Sequence, residues 1–162
     1  MKQHTFSVAS ELEVPVDAFL QTLTMRGVNA ELYPWLRMTA PPDWLNRPIQ
    51  QWPEQQHLFA SWILWLGIVP VDRHQFYFTS IDPQRGFAER SSSLVNSCWR
   101  HTRQITETQS GSNVFDEVAY QSRLPLLGYL LKPIYRRVFA TRHRHIRSKY
   151  GGCSSHARSG SN

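Results

Sequence analysis

The feature that most constrains the fold is a series of strand-like segments joined by short turns with no helix between them. The predicted strands are residues 58–69, 74–81, 87–94, 97–108 and 114–122. The turns fall at Asp72-Arg73 and within two stretches rich in turn-forming residues, 82–86 and 109–113. Consecutive strands with short connections pair antiparallel, so this region predicts a meander.

One long helix is predicted after the strands. Apolar side chains recur at three- and four-residue intervals between 127 and 146, which indicates one buried helical face. The helix would begin at Pro125 and end near Tyr150, before the helix-stopping pair Gly151-Gly152, and it contains Pro133.

The N-terminal third predicts smaller elements. Residues 5–13 alternate as an edge strand does, and a short helix would begin at Pro15 and end at Gly27. A second short helix is expected over 31–37, and the proline-rich stretch 40–53 predicts an irregular loop that borders a binding site.

Together these elements predict an α+β fold: a curved antiparallel sheet of about six or seven strands, two short helices and a long C-terminal helix packed across the sheet. The 162-residue chain is 41% hydrophobic, which suits a single globular domain over residues 1–150. The Gly/Ser-rich residues 151–162 predict a disordered tail. Trp62 and Trp65 are expected to fill the core.

Charge and cysteine content indicate the setting. Residues 1–122 carry nine Lys/Arg and twelve Asp/Glu, whereas residues 123–162 carry nine Lys/Arg and no acid. The basic segment is interpreted mainly as a solvated helix face, and nucleic acid is not expected as a partner. Cys98 and Cys153 are expected to be free thiols, and with no signal-peptide pattern or membrane-length apolar run the chain is expected to be cytoplasmic.

Four titratable residues share the strand faces that carry apolar side chains: Glu89, His101, Arg103 and Asp116. Counting outward from the turn near Gly111 places Arg103 opposite Asp116, which predicts an ion pair, and His101 is expected near Glu89. Three interpretations follow: a polar anchor or acid/base pair for a ligand, a buried ion-pair network that fixes register, or a solvated convex face. His143 and His145 point to different helix faces, so no metal site is predicted.

The order of elements resembles the helix-grip fold of the START-like (SRPBCC) superfamily, which includes polyketide cyclase-like proteins. The resemblance covers about residues 5–150 and is carried by ELEVPVDAF at 11–19, GFAERS at 86–91, WRHTR at 99–103, VFDEV at 114–118 and FATRH at 139–143.

This resemblance implies a hydrophobic cavity between sheet and helix that holds a lipid- or polyketide-like molecule, in a carrier or sensor without cofactor or metal. A cyclase or dehydratase in the same cavity, and an interaction module that uses the basic helix on an anionic partner, are the alternatives. The candidate ligand-binding residues are Glu89, Trp99, His101, Arg103, Asp116, Leu127, Leu131, Ile134, Val138 and Arg142.

Overall fold

A single antiparallel sheet of eight strands forms the frame in the computed structural model, which describes residues 2–155. The strands are β1 (His4–Leu12), β2 (Leu36–Met38), β3 (His57–Trp65), β4 (Val69–Asp82), β5 (Gly86–Ser93), β6 (Asn96–Thr108), β7 (Gly111–Ser122) and β8 (Cys153–Ser155). Their order across the sheet is β2-β3-β4-β5-β6-β7-β1-β8. The predicted fold class is confirmed, with eight strands where six or seven were expected.

Glycines begin the second strand of two hairpins, β4–β5 and β6–β7. Gly86 and Gly111 have φ angles of 126° and 150°, and a Cβ on Gly86 would lie 2.1 Å from the carbonyl oxygen of Arg103. Only glycine fits such backbone. The hairpin between β3 and β4 turns at residues 66–68, where Leu66 and Gly67 have positive φ, and not at Asp72-Arg73 as expected.

The short helices are α1 (Val16–Leu20) and α2 (Met25–Leu32). The expectation that Gly27 ends the first helix is wrong, because Thr24 caps α2 by accepting the Gly27 N–H with its Oγ1 at 3.0 Å. No helix covers 31–37, since the chain leaves α2 after Leu32 and enters β2. The Asn29 side chain binds both the N–H and the C=O of Met38 and so ties α2 to β2.

The long helix α3 (Pro125–Tyr150) is confirmed and continues through Pro133. Of the predicted stripe, Phe139, Arg142 and Ile146 are buried, and Leu127, Leu131 and Val138 are half-buried. Ile134, also expected to roof the core, is 54% exposed, so that part of the prediction is wrong.

Two apolar clusters lie on the concave face of the sheet. The smaller one joins Phe6, Val118, Tyr120 and Phe139 and takes in Trp99, Leu131 and Val138 at its margin. The larger one includes Phe76 and Phe78 of β4 and is covered by the 40–53 loop, which contains two short 3-10 helices, Pro42–Trp44 and Ile49–Gln51. Within that loop Ile49 and Trp52 are buried, so the loop is part of the core. Trp62 and Trp65 are exposed, against expectation.

The C-terminal residues extend the sheet. Cys153–Ser155 pairs with residues 9–11 of β1, so the expected disordered tail is wrong for residues 151–155, and the rest of it, 156–162, lies outside the described residues. Cys98 and Cys153 are free thiols, as expected. Among residues 2–155 no helix is both long and apolar enough to cross a membrane.

Candidate functional site

The interface between the sheet and α3 contains a group of eight buried ionisable side chains, called here the buried charge network. Its members come from α2, four strands and α3: Glu31, His74, Glu89, His101, Arg103, Asp116, Arg142 and His143. Backbone pairing explains part of the assembly, because Arg103 lies opposite Asp116 and Glu89 opposite His101 in the sheet. The expected Arg103–Asp116 register is confirmed.

Arg103 is the centre of the network and is only 1% exposed. Its Nε and Nη2 donate to Asp116 Oδ1 and Oδ2 at 2.8 and 2.7 Å, while Nη1 and Nη2 donate to Glu31 Oε1 and Oε2 at 3.0 and 3.1 Å. The planar guanidinium thus makes two bidentate pairs at once, a geometry that lysine cannot reproduce.

The network fastens the C-terminal half of α3 to the rest of the domain. Arg142 Nε and Nη2 donate to Glu31 Oε2 at 3.0 and 2.8 Å, which joins α3 to α2. His143 Nε2 lies 3.0 Å from Asp116 Oδ2, and its Nδ1 lies 2.8 Å from the hydroxyl of Ser10 on β1. These polar contacts bind one helical segment to α2, β7 and β1, in addition to its apolar packing.

The remaining members lie on β4, β5 and β6 and connect these strands to Asp116 of β7. His101 Nε2 lies 3.0 Å from Asp116 Oδ1, and its Nδ1 lies 3.8 Å from Glu89 Oε2. His74 Nε2 lies 2.5 Å from Glu89 Oε1. The polar contacts therefore run without a break from β4 through β5, β6 and β7 to α3.

The carboxylates of the network are held in their ionised form. Burial raises the pKa of Glu89, but His74 and His101 lower it by more, so the pKa falls to about 2.

Burial likewise opposes ionisation of Asp116 and Glu31. Arg103 lies beside both carboxylates and Arg142 beside Glu31, and these guanidinium groups bring each pKa below its usual value. The same two carboxylates raise the pKa of Arg103 against the effect of burial. For Glu31, Glu89, Arg103 and Asp116, pairing thus outweighs desolvation.

These contacts separate the three interpretations of the strand residues. Glu89, His101, Arg103 and Asp116 are all buried, so the solvated-face interpretation is wrong. Their polar atoms are directed mainly at one another, which favours a network that fixes register and the docking of the helix. The structure also brings Arg142 into this network.

Most of the apolar candidates lie at the interface between the sheet and α3. Trp99, Leu131 and Val138 pack at the margin of the cluster around Phe139, and Leu127 is half-buried in the first turn of α3. Ile134 lies on the outer side of the helix.

One buried polar atom next to this apolar group has no partner. Asn96, 2% exposed at the start of β6, donates from Nδ2 to the Tyr135 hydroxyl at 2.8 Å, but its Oδ1 is unbonded within the described part of the chain. Burial raises the pKa of Tyr135 to about 12, which keeps its hydroxyl protonated. Trp99 packs edge-on against Tyr135 with ring centroids 5.2 Å apart.

Sequence reasoning missed Glu31, His74, His143, Asn96 and Tyr135 as neighbours of the site. A signal existed for His74, because alternation puts it on the same strand face as Phe76 and Phe78. Glu31 and His143 reach the network only because α2 and α3 dock there, which no local pattern encodes.

Two surface recesses are found elsewhere. A recess of about 770 Å³ lies between α1 and the β4–β5 and β6–β7 turns and is lined in part by Glu13, Asp17 and Glu107. A smaller one of about 410 Å³ lies beside β8. Among residues 2–155 no group of three or more His, Cys, Asp or Glu is arranged to hold a metal ion.

Comparison with solved structures identifies the architecture. Protein CV1439 from Chromobacterium violaceum matches with a TM-score of 0.66 and 9% identity over 91% of this chain and 97% of that one. The ZhuI aromatase/cyclase from Streptomyces sp. R1128 matches with a TM-score of 0.64 and 10% identity over 91% and 92% of the two chains. The major latex-like protein 151 of Panax ginseng matches with a TM-score of 0.56 and 9% identity over 91% and 97%. At these identities the likeness establishes the helix-grip fold.

Sequence comparison gives a family but no characterised relative. The model of the family described as domain of unknown function (DUF8410) matches residues 10–150, which is nearly the whole folded unit. No curated protein matches the sequence.

Proposed function

This chain belongs to the DUF8410 family, and we propose that it binds a hydrophobic small molecule between the sheet and the N-terminal half of α3, as a carrier or sensor. The observation that carries the proposal is the buried, unpaired polar group of Asn96 beside the Tyr135 hydroxyl. An unsatisfied buried amide costs roughly 1–3 kcal/mol, which a ligand hydroxyl or carbonyl would recover.

The surroundings of Asn96 support an apolar ligand. Trp99, Tyr120 and Tyr135 form a wall of aromatic rings, with the Tyr120 and Tyr135 centroids 4.9 Å apart, and Leu131 packs against the same cluster. A few fixed polar groups in an aromatic and aliphatic wall are the usual composition of a small-molecule site. The ligand class we propose is therefore a lipid- or polyketide-like molecule with one hydrogen-bonding group.

The uneven attachment of α3 supports entry at this end. The C-terminal half of the helix is bound by Arg142 and His143, whereas Leu126, Leu130 and Ile134 of the N-terminal half are exposed. The N-terminal half makes apolar contacts and two neutral hydrogen bonds, from the Tyr120 hydroxyl to the Gly128 carbonyl and from Asn96 to the Tyr135 hydroxyl. Because its separation from the sheet leaves no charge buried and unpaired, we expect it to cost less free energy than separation of the ion-paired half. We propose that ligand uptake displaces the first turns of α3 while the charge network holds the rest.

In this proposal the residues of the buried charge network hold the C-terminal half of α3 in place and do not take part in chemistry. Glu89, with its pKa near 2, is ionised at neutral pH and cannot act as the proton donor that a dehydration needs. This chain is similar to the ZhuI aromatase/cyclase in fold. Our proposal for it is ligand binding without catalysis.

Native mass spectrometry of freshly purified protein, followed by lipid extraction, tests the proposal first. Displacement of 1-anilinonaphthalene-8-sulfonate by 1-dodecanol and by dodecane then measures the contribution of the polar anchor. Asn96→Leu should weaken 1-dodecanol binding about tenfold and leave dodecane binding nearly unchanged.

Asn113→Leu is the matched control, because Asn113 is half-buried on the neighbouring strand and its Oδ1 accepts a bond from Ser155 at the opposite end of the sheet. It should not alter either affinity. Protein that carries no apolar molecule and shows no saturable binding of either probe would overturn the proposal.

A further inference from the structure

The exposed large apolar side chains of residues 2–155 lie at one end of the sheet, called here the apolar end. It comprises the β3–β4 turn, the β5–β6 turn, the segment before β2 and the first turns of α3, which the antiparallel order places together. Ile68 at the first turn is 77% exposed, and Leu94 at the second is 61% exposed. Tyr33 and Trp35 are exposed before β2, beside the exposed Trp65. Exposed apolar side chains gathered at one end of a domain indicate an interaction surface.

The two ends of the sheet differ in charge. The segments 33–39, 62–73, 94–95 and 123–134 contain a single acid, Asp72, which is buried with Oδ1 accepting the N–H groups of Arg73 and Val95. The side chains of Arg37, Arg73 and Arg123 are exposed there. At the opposite end Glu13, Asp17, Asp82 and Glu107 are exposed in or beside the turns. The apolar end is therefore cationic, whereas the opposite end carries these acids together with exposed cations such as Arg85 and Lys149.

The shape of the apolar end suits a flat partner. The β3–β4 hairpin extends beyond the end of the adjacent strand β5, and Leu66 and Ile68 lie exposed at its tip. Trp62 lies further from the tip, with the Arg73 Cζ 5.6 Å from its ring centroid. Aliphatic side chains at a tip, followed by aromatic rings and then by arginine, match the order of hydrocarbon, interface and phosphate in a lipid leaflet.

We propose that the apolar end docks on the surface of an anionic lipid bilayer. Leu66 and Ile68 enter the acyl boundary, the tryptophans lie at the headgroup level, and Arg37 and Arg73 contact lipid phosphates. The docking stands on the patch and its charge and does not require the small-molecule site. It would, however, place Asn96 and the exposed first turns of α3 toward the membrane, from which an apolar ligand can be taken up.

Co-sedimentation with vesicles tests the docking, using phosphatidylcholine alone and phosphatidylcholine with phosphatidylserine. The wild type should bind the anionic vesicles more tightly, and high salt should weaken that binding. The double variant Leu66→Ser/Ile68→Ser should bind at least about tenfold more weakly. Arg73→Ser should reduce binding about fivefold, whereas the matched control Arg85→Ser, an exposed arginine in the opposite turn, should bind as the wild type does.

Absence of vesicle binding at low salt would overturn the docking, as would full binding by Leu66→Ser/Ile68→Ser. So would a wild-type dimer that the same double variant converts to a monomer, because the apolar end would then be a contact between two copies. These results leave the 1-dodecanol measurement untouched, so failure of the docking and failure of ligand binding are distinguishable.

Discussion

The two halves of α3 meet the same sheet by different means. The C-terminal half buries Arg142, His143 and Ile146 and forms ion pairs to Glu31 and Asp116. The N-terminal half has exposed leucines on one side and packs through aromatic contacts of Tyr135 on the other. Buried ion pairs fix one arrangement because any departure leaves charges unpaired, whereas apolar contacts tolerate sliding and replacement by another apolar molecule. One helix thereby combines a fixed segment with a displaceable one.

The largest test removes the carboxylate on which the fixed half depends. Asp116→Ala leaves Arg103 and His143 without their shared acceptor and should lower the free energy of unfolding by about 3–5 kcal/mol. Urea unfolding measures the change. Glu117→Ala, at the exposed neighbouring position, should stay within about 0.5 kcal/mol, and equal losses in the two variants would contradict a special role for the network.

A second test compares two isoleucines of the same helix. Ile146 is 2% exposed and Ile134 is 54% exposed, so Ile146→Ala should cost about 2–5 kcal/mol and Ile134→Ala less than about 0.5 kcal/mol. Thermal and urea unfolding of both variants measure the difference. A large loss for Ile134→Ala would mean that Ile134 packs against the core, as the sequence predicts.

Acid should weaken the network in a defined pH range. Because the folded pKa of Glu89 is about 2 against an ordinary value of 4.5, its stabilisation is complete above pH 4.5 and is lost as the pH falls toward 2. The amount is on the order of 3 kcal/mol for this buried group. Glu89→Gln should be less stable at pH 6 and should show a flatter decline between pH 4.5 and 2. An unchanged slope in urea unfolding across that range would place the acid sensitivity elsewhere.

The smallest expected difference concerns local opening. Amide hydrogens of residues 139–149 should exchange at least about tenfold more slowly than those of 127–132, since opening the C-terminal half breaks buried ion pairs. Hydrogen exchange followed by mass spectrometry resolves the two segments. Equal protection, or faster exchange in the C-terminal half, would remove the basis for entry beside the first turns of α3.

Local patterns in the sequence predict the frame of this protein well. Turn residues around Gly86 and Gly111 define the hairpins, and counting from the second turn places Arg103 opposite Asp116, as the structure has it. Period-two alternation also predicts that Glu89 and His101 face inward. These features depend on neighbours in one hairpin or on adjacent strands, where sequence distance determines spatial distance.

What the sequence does not predict depends on docking between distant elements. Glu31 reaches Arg103 only when α2 packs beside α3, and the rotation of α3 cannot be derived from a helix that carries leucines on both its buried and its exposed side. Strand β8 follows two glycines, and its sequence Cys-Ser-Ser has no alternation by which to recognise a strand. The candidate site was therefore predicted from the strands and one face of α3 with Arg142, without Glu31 of α2 and His143, which complete the network.

The three-residue strands β2 and β8 form the two edges of the sheet among the described residues, and each pairs with three residues of the nine-residue strand beside it, β3 or β1. Each outermost strand therefore offers only a short row of free backbone groups for pairing with another chain. Exposed tryptophans and leucines such as those of the apolar end increase the risk of cross-β aggregation. Short edge strands reduce that risk because they offer few backbone groups to which another strand can add. Deleting β8 would uncover β1 and should make the protein aggregate by strand addition, even though the deleted residues contribute little to the core.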